Sequence, residues 1–131
     1  MKFTIEKIKE EHQKVKSGAD FPHYIQTIKN WGVVHYTVYV KDGSTEYFDA
    51  ADASLMAGAK YEHLTVSTVV NLSRFTSRLQ LHQNGGTDYM TFCNDCAQNG
   101  VEGWTVDMNE MTCSYFDRSG NVMLTEKIPS L

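Results

Sequence analysis

The sequence predicts an α+β protein, a tandem duplication of an α-α-β-β-β unit forming an antiparallel sheet with helices packed on one face. Three observations lead there. Residues 18–49 align without a gap onto residues 86–117, at an offset of 68 positions. Apolar residues recur at helical spacing around the start of each aligned block. Each block then closes on alternating residues broken by turn formers, as a hairpin does.

Nine of the 32 aligned positions are identical: Gly18/Gly86, Asp20/Asp88, Gly32/Gly100, Val33/Val101, Thr37/Thr105, Val38/Val106, Tyr47/Tyr115, Phe48/Phe116 and Asp49/Asp117. At roughly 7% usage for a common residue, about two identities would arise by chance. Aromatic residues exchange at Phe21/Tyr89, Tyr24/Phe92 and Tyr36/Trp104, and His12-Gln13 recurs as His82-Gln83 if two residues are dropped between. A repeated unit that cannot bury its apolar face alone needs its neighbour. The copies, about 3–66 and 71–129, are therefore expected to share a core within one domain, 1–131.

In each copy a first helix carries an apolar stripe, Ile5, Ile8 and Val15 in one and Leu72, Phe75 and Leu79 in the other. Breaks follow at Ser17-Gly18 and Gly85-Gly86. A second helix starts at Asp20 or at Thr87-Asp88, whose side-chain oxygens can accept from free first-turn N–H groups. Pro22 suits that first turn because it lacks an N–H. The buried stripes are Phe21, Tyr24, Ile25, Ile28 and Tyr89, Phe92, Cys93, Cys96, and Gly32 and Gly100 follow where a helix ends in positive φ. Next, His35 to Val40 alternates, Asp42-Gly43 reads as a two-residue turn, and Thr45 to Phe48 returns. That register pairs Val38 with Tyr47, and Val106 with Tyr115. One face then holds Tyr36, Val38, Val40 and Tyr47, with Trp104, Val106, Met108, Cys113 and Tyr115 in the second copy. A third strand fits Val122 to Ile128 after the turn at Arg118-Ser119-Gly120-Asn121. Its counterpart falls between Leu55 and Val70, with Leu64 to Val70 the strand-like part.

Composition excludes several classes. At 131 residues, 41% hydrophobic and 21% charged, the chain is globular and large enough for its own core. A net charge of −4 argues against nucleic acid. The early lysines (Lys2, Lys7, Lys9, Lys14, Lys16) alternate with Glu6, Glu10 and Glu11, so that Lys7–Glu11 and Glu10–Lys14 read as pairs on a solvated helix face. The opening MKFTIEKIKEEHQKVK lacks an apolar core and is not expected to be a signal peptide. No apolar run approaches the ~18 residues needed to span a bilayer. Three cysteines, an odd number, read as reduced thiols in a cytoplasm.

The residues that suggest chemistry mostly have structural explanations. Cys93 and Cys96 form a CxxC, but it falls inside a helix, aligns with Ile25 and Ile28, and has no second CxxC to complete a zinc site. Core packing accounts for it. Asp20 and Asp88 read as helix caps rather than catalytic carboxylates, and Asp49 and Asp117 as turn residues. His12 and His82 end the first helix of each copy, where the helix dipole favours a histidine. They are also the only matched polar pair whose structural account is thin, and the alternative is that they line a cleft between the copies. His23, His35 and His63 have no histidine counterparts and read as surface or strand residues. No hydrolase triad order, phosphate loop or HExxH is present.

The stretches KVKSGADFPHYI, GGTDYMTFCNDCAQNGVEGWTVD and MTCSYFDRSGNVMLTEKIP resemble the YdfO-like family of uncharacterised bacterial and prophage proteins, from Thr4 to Pro129. The resemblance implies a single α+β domain. It implies no activity, cofactor or catalytic residue. Some members carry the label "phage envelope protein", for which this hydropathy offers no support.

The functional expectation is a non-enzymatic binding module for a small molecule or protein partner at the seam between the copies, with His12, His82, Tyr24 and Phe92 as ligand-binding candidates. Tyr36 and Trp104 are further aromatic residues for such a seam. The alternatives are an enzyme pairing His12 or His82 with a carboxylate as acid and base, and a prophage accessory protein acting on a host protein. No cofactor or metal is expected, neither nucleic acid nor membrane is a partner, and a homodimer is left open.

Overall fold

The computed structural model describes residues 3–15 and 20–128; the expected break at Ser17-Gly18 lies outside them. The elements run α1 (Ile5–Gln13), α2 (Phe21–Asn30), β1 (His35–Tyr39), β2 (Thr45–Phe48), β3 (Ser54–Ala57), α3 (Leu72–Gln83), α4 (Tyr89–Gln98), β4 (Gly103–Asp107), β5 (Thr112–Phe116) and β6 (Val122–Lys127). The six strands make one antiparallel sheet in the order β3-β2-β1-β4-β5-β6. This is an α+β fold, with the helices on the face that carries Tyr36, Val38, Tyr47, Trp104, Val106, Cys113 and Tyr115.

Both second helices end as their glycines require. Gly32 (φ 106) and Gly100 (φ 85) take positive φ. The following amides, Val33 N and Val101 N, reach back to Ile28 O at 3.1 Å and Cys96 O at 2.9 Å, closing a Schellman turn in each case. The helix starts differ. Asp88 caps α4 by accepting from Thr91 N at 2.8 Å, whereas Asp20 stands at the start of α2 without the expected side-chain capping bond. On α1 the ion pair is Lys14 to Glu11 at 2.7 Å, and neither expected i,i+4 pair is found among the described residues.

Strands β1 and β4 join the halves, pairing His35 with Asp107, Thr37 with Thr105 and Tyr39 with Gly103. Thr37 and Thr105, equivalent in the alignment, thus face each other with hydroxyl oxygens 2.9 Å apart. The register is symmetric about them. Beneath α1 and α2 lies one apolar cluster (Phe3, Ile8, Tyr24, Ile25, Ile28, Val33 among its members). Beneath α3 and α4 lies another (Phe75, Leu79, Phe92, Cys96, Val101, Tyr115 among its members). Trp104 and Cys113 pack against both.

Two strand assignments are corrected. The hairpins pair Tyr36 with Tyr47 and Val38 with Thr45, and Trp104 with Tyr115 and Val106 with Cys113, two residues away from the expected register. The cause is a longer turn. Tyr39 N donates to Ser44 O and Gly43 N to Tyr39 O, while Val40 leaves the hairpin to donate to Glu102 O and bury its side chain completely. A shift of two keeps every side chain on its face. The third strand of the first half is Ser54–Ala57, not Leu64–Val70. The Asp49 carboxylate accepts from Ala51 N at 2.9 Å and Ala53 N at 3.0 Å, and Asp52 adopts φ 64, so the chain reverses at once after β2. Residues 64–70 instead cross to the second half, where Ser67 N donates to Ala97 O and Val66 joins the second cluster. Tertiary packing overrides their β propensity.

Candidate functional site

Positions 5, 8, 9 and 12 fall on one face of α1 by helical periodicity. That face looks onto β2 and β3 across a cleft of about 240 Å³. Buried Ile8, Tyr47 and Ala57 make the floor and Ile5 a wall, while exposed Lys9, His12, Gln13 and Lys60 form the rim. Thr4 starts the helix, its hydroxyl accepting from Lys7 N at 3.3 Å.

Lys60 reaches the rim because the segment after β3 is fastened to the β1–β2 turn. Lys60 N donates to Asp42 O at 2.8 Å, and the Tyr61 hydroxyl donates to Val40 O at 2.6 Å. The rim is basic. Burial, reinforced by the nearby Lys60 charge, pushes the His12 imidazole below its ordinary value. Burial and then Lys9 do the same to the Lys60 ammonium. Neither lysine has a carboxylate within salt-bridge reach among the described residues, and none of the lining residues is acidic. The His–carboxylate pair of the enzyme reading therefore finds no acid partner in this cleft.

At the floor and behind it stand neutral phenols and thiols. Burial pushes Tyr24, Tyr36 and Tyr47 above the usual phenol range, with Tyr24 and Tyr47 acting on one another as next neighbours. On the side of α4, Cys93 is fully buried beside the Tyr61 and Tyr89 phenols, and burial raises its thiol despite their polar contact and the Lys60 charge. Cys96 is raised further, and Cys113 is pushed up to about 12, again chiefly by burial. These thiols are held protonated and shielded, the opposite of an activated nucleophile. Lys60 and Tyr61 thus bring the first half's cleft up against the second half's α4.

Of the four sequence candidates, the structure brings His12 and Tyr24 together, with ring centroids 5.2 Å apart, His12 at the rim and Tyr24 behind it. The equivalent pair lies elsewhere. His82 stacks on Phe92 at 4.4 Å and 12°, its Nδ1 3.0 Å from both Thr87 O and Thr87 Oγ1, a helix-end arrangement away from the cleft. Trp104 packs against both clusters and Tyr36 is buried in the first. Cys93 and Cys96 are free and fully buried. Asp49 and Asp117 make matching turns, Asp117 accepting from Ser119 N and Asn121 N. His35 stacks on Phe48 in the sheet, and His23 and His63 are exposed.

Sequence reading missed Lys9, taken as part of a solvated face, and Lys60, in a stretch without pattern. The helical spacing of Lys9 from Ile5, Ile8 and His12 was the available signal; Lys60 offered none. A second hollow of about 300 Å³ lies by Val70, Gly100 and Arg118. The arginine there is already answered by Glu102 at 4.0 Å and by Val66 O at 3.4 Å. Among the described residues no cluster of His, Cys, Asp and Glu suits a metal ion, and no helix is long and apolar enough to cross a membrane.

Fold and site together define a six-stranded antiparallel α+β protein with a basic-rimmed cleft beside its first helix. The family described as "Protein of unknown function (DUF1398)" matches residues 9–127, and the chain belongs to it. No curated protein matches the sequence.

Proposed function

We propose that this protein is a non-enzymatic binding module whose small-molecule ligand occupies the cleft between α1 and the β2–β3 edge. One observation carries the reading: a concave site with a buried, largely apolar floor (Ile8, Ala57, Tyr47) and converging polar groups at its rim. That combination is what small-ligand sites share. The volume is modest, roughly eight times a water molecule's share of liquid volume, which favours a compact ligand. His12 and Tyr24 are its first-half candidates. His82 and Phe92 serve as packing in the second half. The YdfO-like resemblance and three free cysteines support a cytoplasmic, prophage-associated protein, whose ligand or partner would come from the host cell.

Thermal-shift screening against small metabolites tests the reading. Stabilisation by a compound whose effect is lost in Ala57→Trp, which fills the floor, is the expected result. If every stabilising compound acts equally on wild type and on that variant, the cleft is not the site.

A further inference from the structure

We propose that the cleft takes a small organic anion, a carboxylate or phosphate ester on a compact apolar body; this rests on the cleft being the binding site. Lys9, His12 and Lys60 stand around one opening, close enough for Lys60 to act on His12 and Lys9 on Lys60. Like charges gathered on a partly dry rim repel one another, and an anion between them removes that repulsion. Among the described residues nothing supplies it. Glu11, on the same helix, is engaged by Lys14 at 2.7 Å, and no acidic side chain lines the cleft.

The rest of the lining fits the rest of such a ligand. Ile5, Ile8 and Ala57 offer apolar contact for a ring or short chain. Tyr47, kept neutral by burial, presents a phenol at the floor. Lysines are compact point charges with rotatable donors and serve carboxylate and phosphate alike, while the planar two-point grip of arginine is missing here. A cation would meet two lysines and no acid, and a neutral molecule would leave the rim charges unanswered.

Isothermal titration of the full chain with benzoate, phenyl phosphate and benzamide reads the ligand class directly. Both anions should bind at least about tenfold more tightly than the amide, a difference of roughly 1.4 kcal/mol. Phenyl phosphate ahead of benzoate would assign the site to phosphate esters, and the reverse order to carboxylates. Lys60→Met and Lys9→Met should each weaken the anions several-fold and leave benzamide unchanged; both residues are exposed, and unaltered melting curves confirm that the variants fold. Equal binding of amide and anions, lost in Ala57→Trp, overturns the anion assignment and spares the cleft. Binding of none of the three overturns the anion assignment and counts against the cleft as well.

Discussion

Two histidines in the same dipeptide have different surroundings in the two halves. His82 stacks on Phe92 and is held at the helix end by Thr87. His12 stands against Tyr24, whose hydroxyl has no counterpart on Phe92, and it opens on the cleft beside Lys9, Gln13, Tyr47 and Lys60. The matched dipeptides were legible in the sequence; their divergence was not, because it depends on what the 58–61 segment brings alongside. A pH dependence follows. Burial and Lys60 depress the His12 pKa below 6.5, so the free imidazole is neutral near pH 7. A bound anion favours the imidazolium, so binding takes up a proton and tightens as pH falls from 7 through the depressed value. It levels off once the free protein is also protonated. The limit is about tenfold per pH unit. Titrations with benzoate between pH 7 and 5 should show this slope in wild type and lose it in His12→Asn. Burial and then Lys9 also depress the Lys60 ammonium, and the His12→Asn variant separates its contribution from that of the imidazole.

At the scale of elements, helix ends, hairpin faces and five of the six strands were legible, since each depends on local chemistry: a glycine at positive φ, an alternation, a turn. The misplaced strand carried a signal too. Carrying the offset of 68 past Asp49 sets Ser54 on Val122 and Asp52 (φ 64) on Gly120 (φ 84), so the two turns and the strands after them correspond. Residues 64–70 look like a strand because five of the seven are β-branched, yet Ser67 N bonds to α4 and Leu64 N to the β1–β2 turn. Helices α3 and α4 are clamped by Arg78 Nε to Asp95 Oδ2 at 2.9 Å, with Asp95 nearly buried. Arg78→Met leaves that carboxylate without its partner and should cost about 2 kcal/mol, read as a lower urea midpoint at unchanged slope. Adding Asp95→Asn should recover part of the loss.

At the scale of the molecule, the halves are joined by a full β1–β4 ladder and by Trp104 and Cys113, which touch both clusters. If one half unfolds, the seam strand of the other, β1 or β4, loses one of its two neighbours and becomes an exposed edge. The chain should therefore lose structure in one cooperative step. Trp31 packs on the first cluster and Trp104 on both, so Trp31→Phe and Trp104→Phe leave reporters in different places. Once each variant's own destabilisation is accounted for by far-UV circular dichroism, fluorescence and circular dichroism should give one midpoint per variant. Separate fluorescence and dichroism midpoints would mean that the halves unfold independently.

The most direct test of the basic-rimmed cleft is to locate a bound anion by amide chemical-shift mapping during a benzoate titration. Saturable shifts are expected at Ile5, Ile8, Lys9, His12, Tyr47, Ala57 and Lys60, and absent around Val70, Gly100 and Arg118. Shifts confined to that second hollow, or scattered and unsaturable over the surface, would contradict the assignment of the cleft.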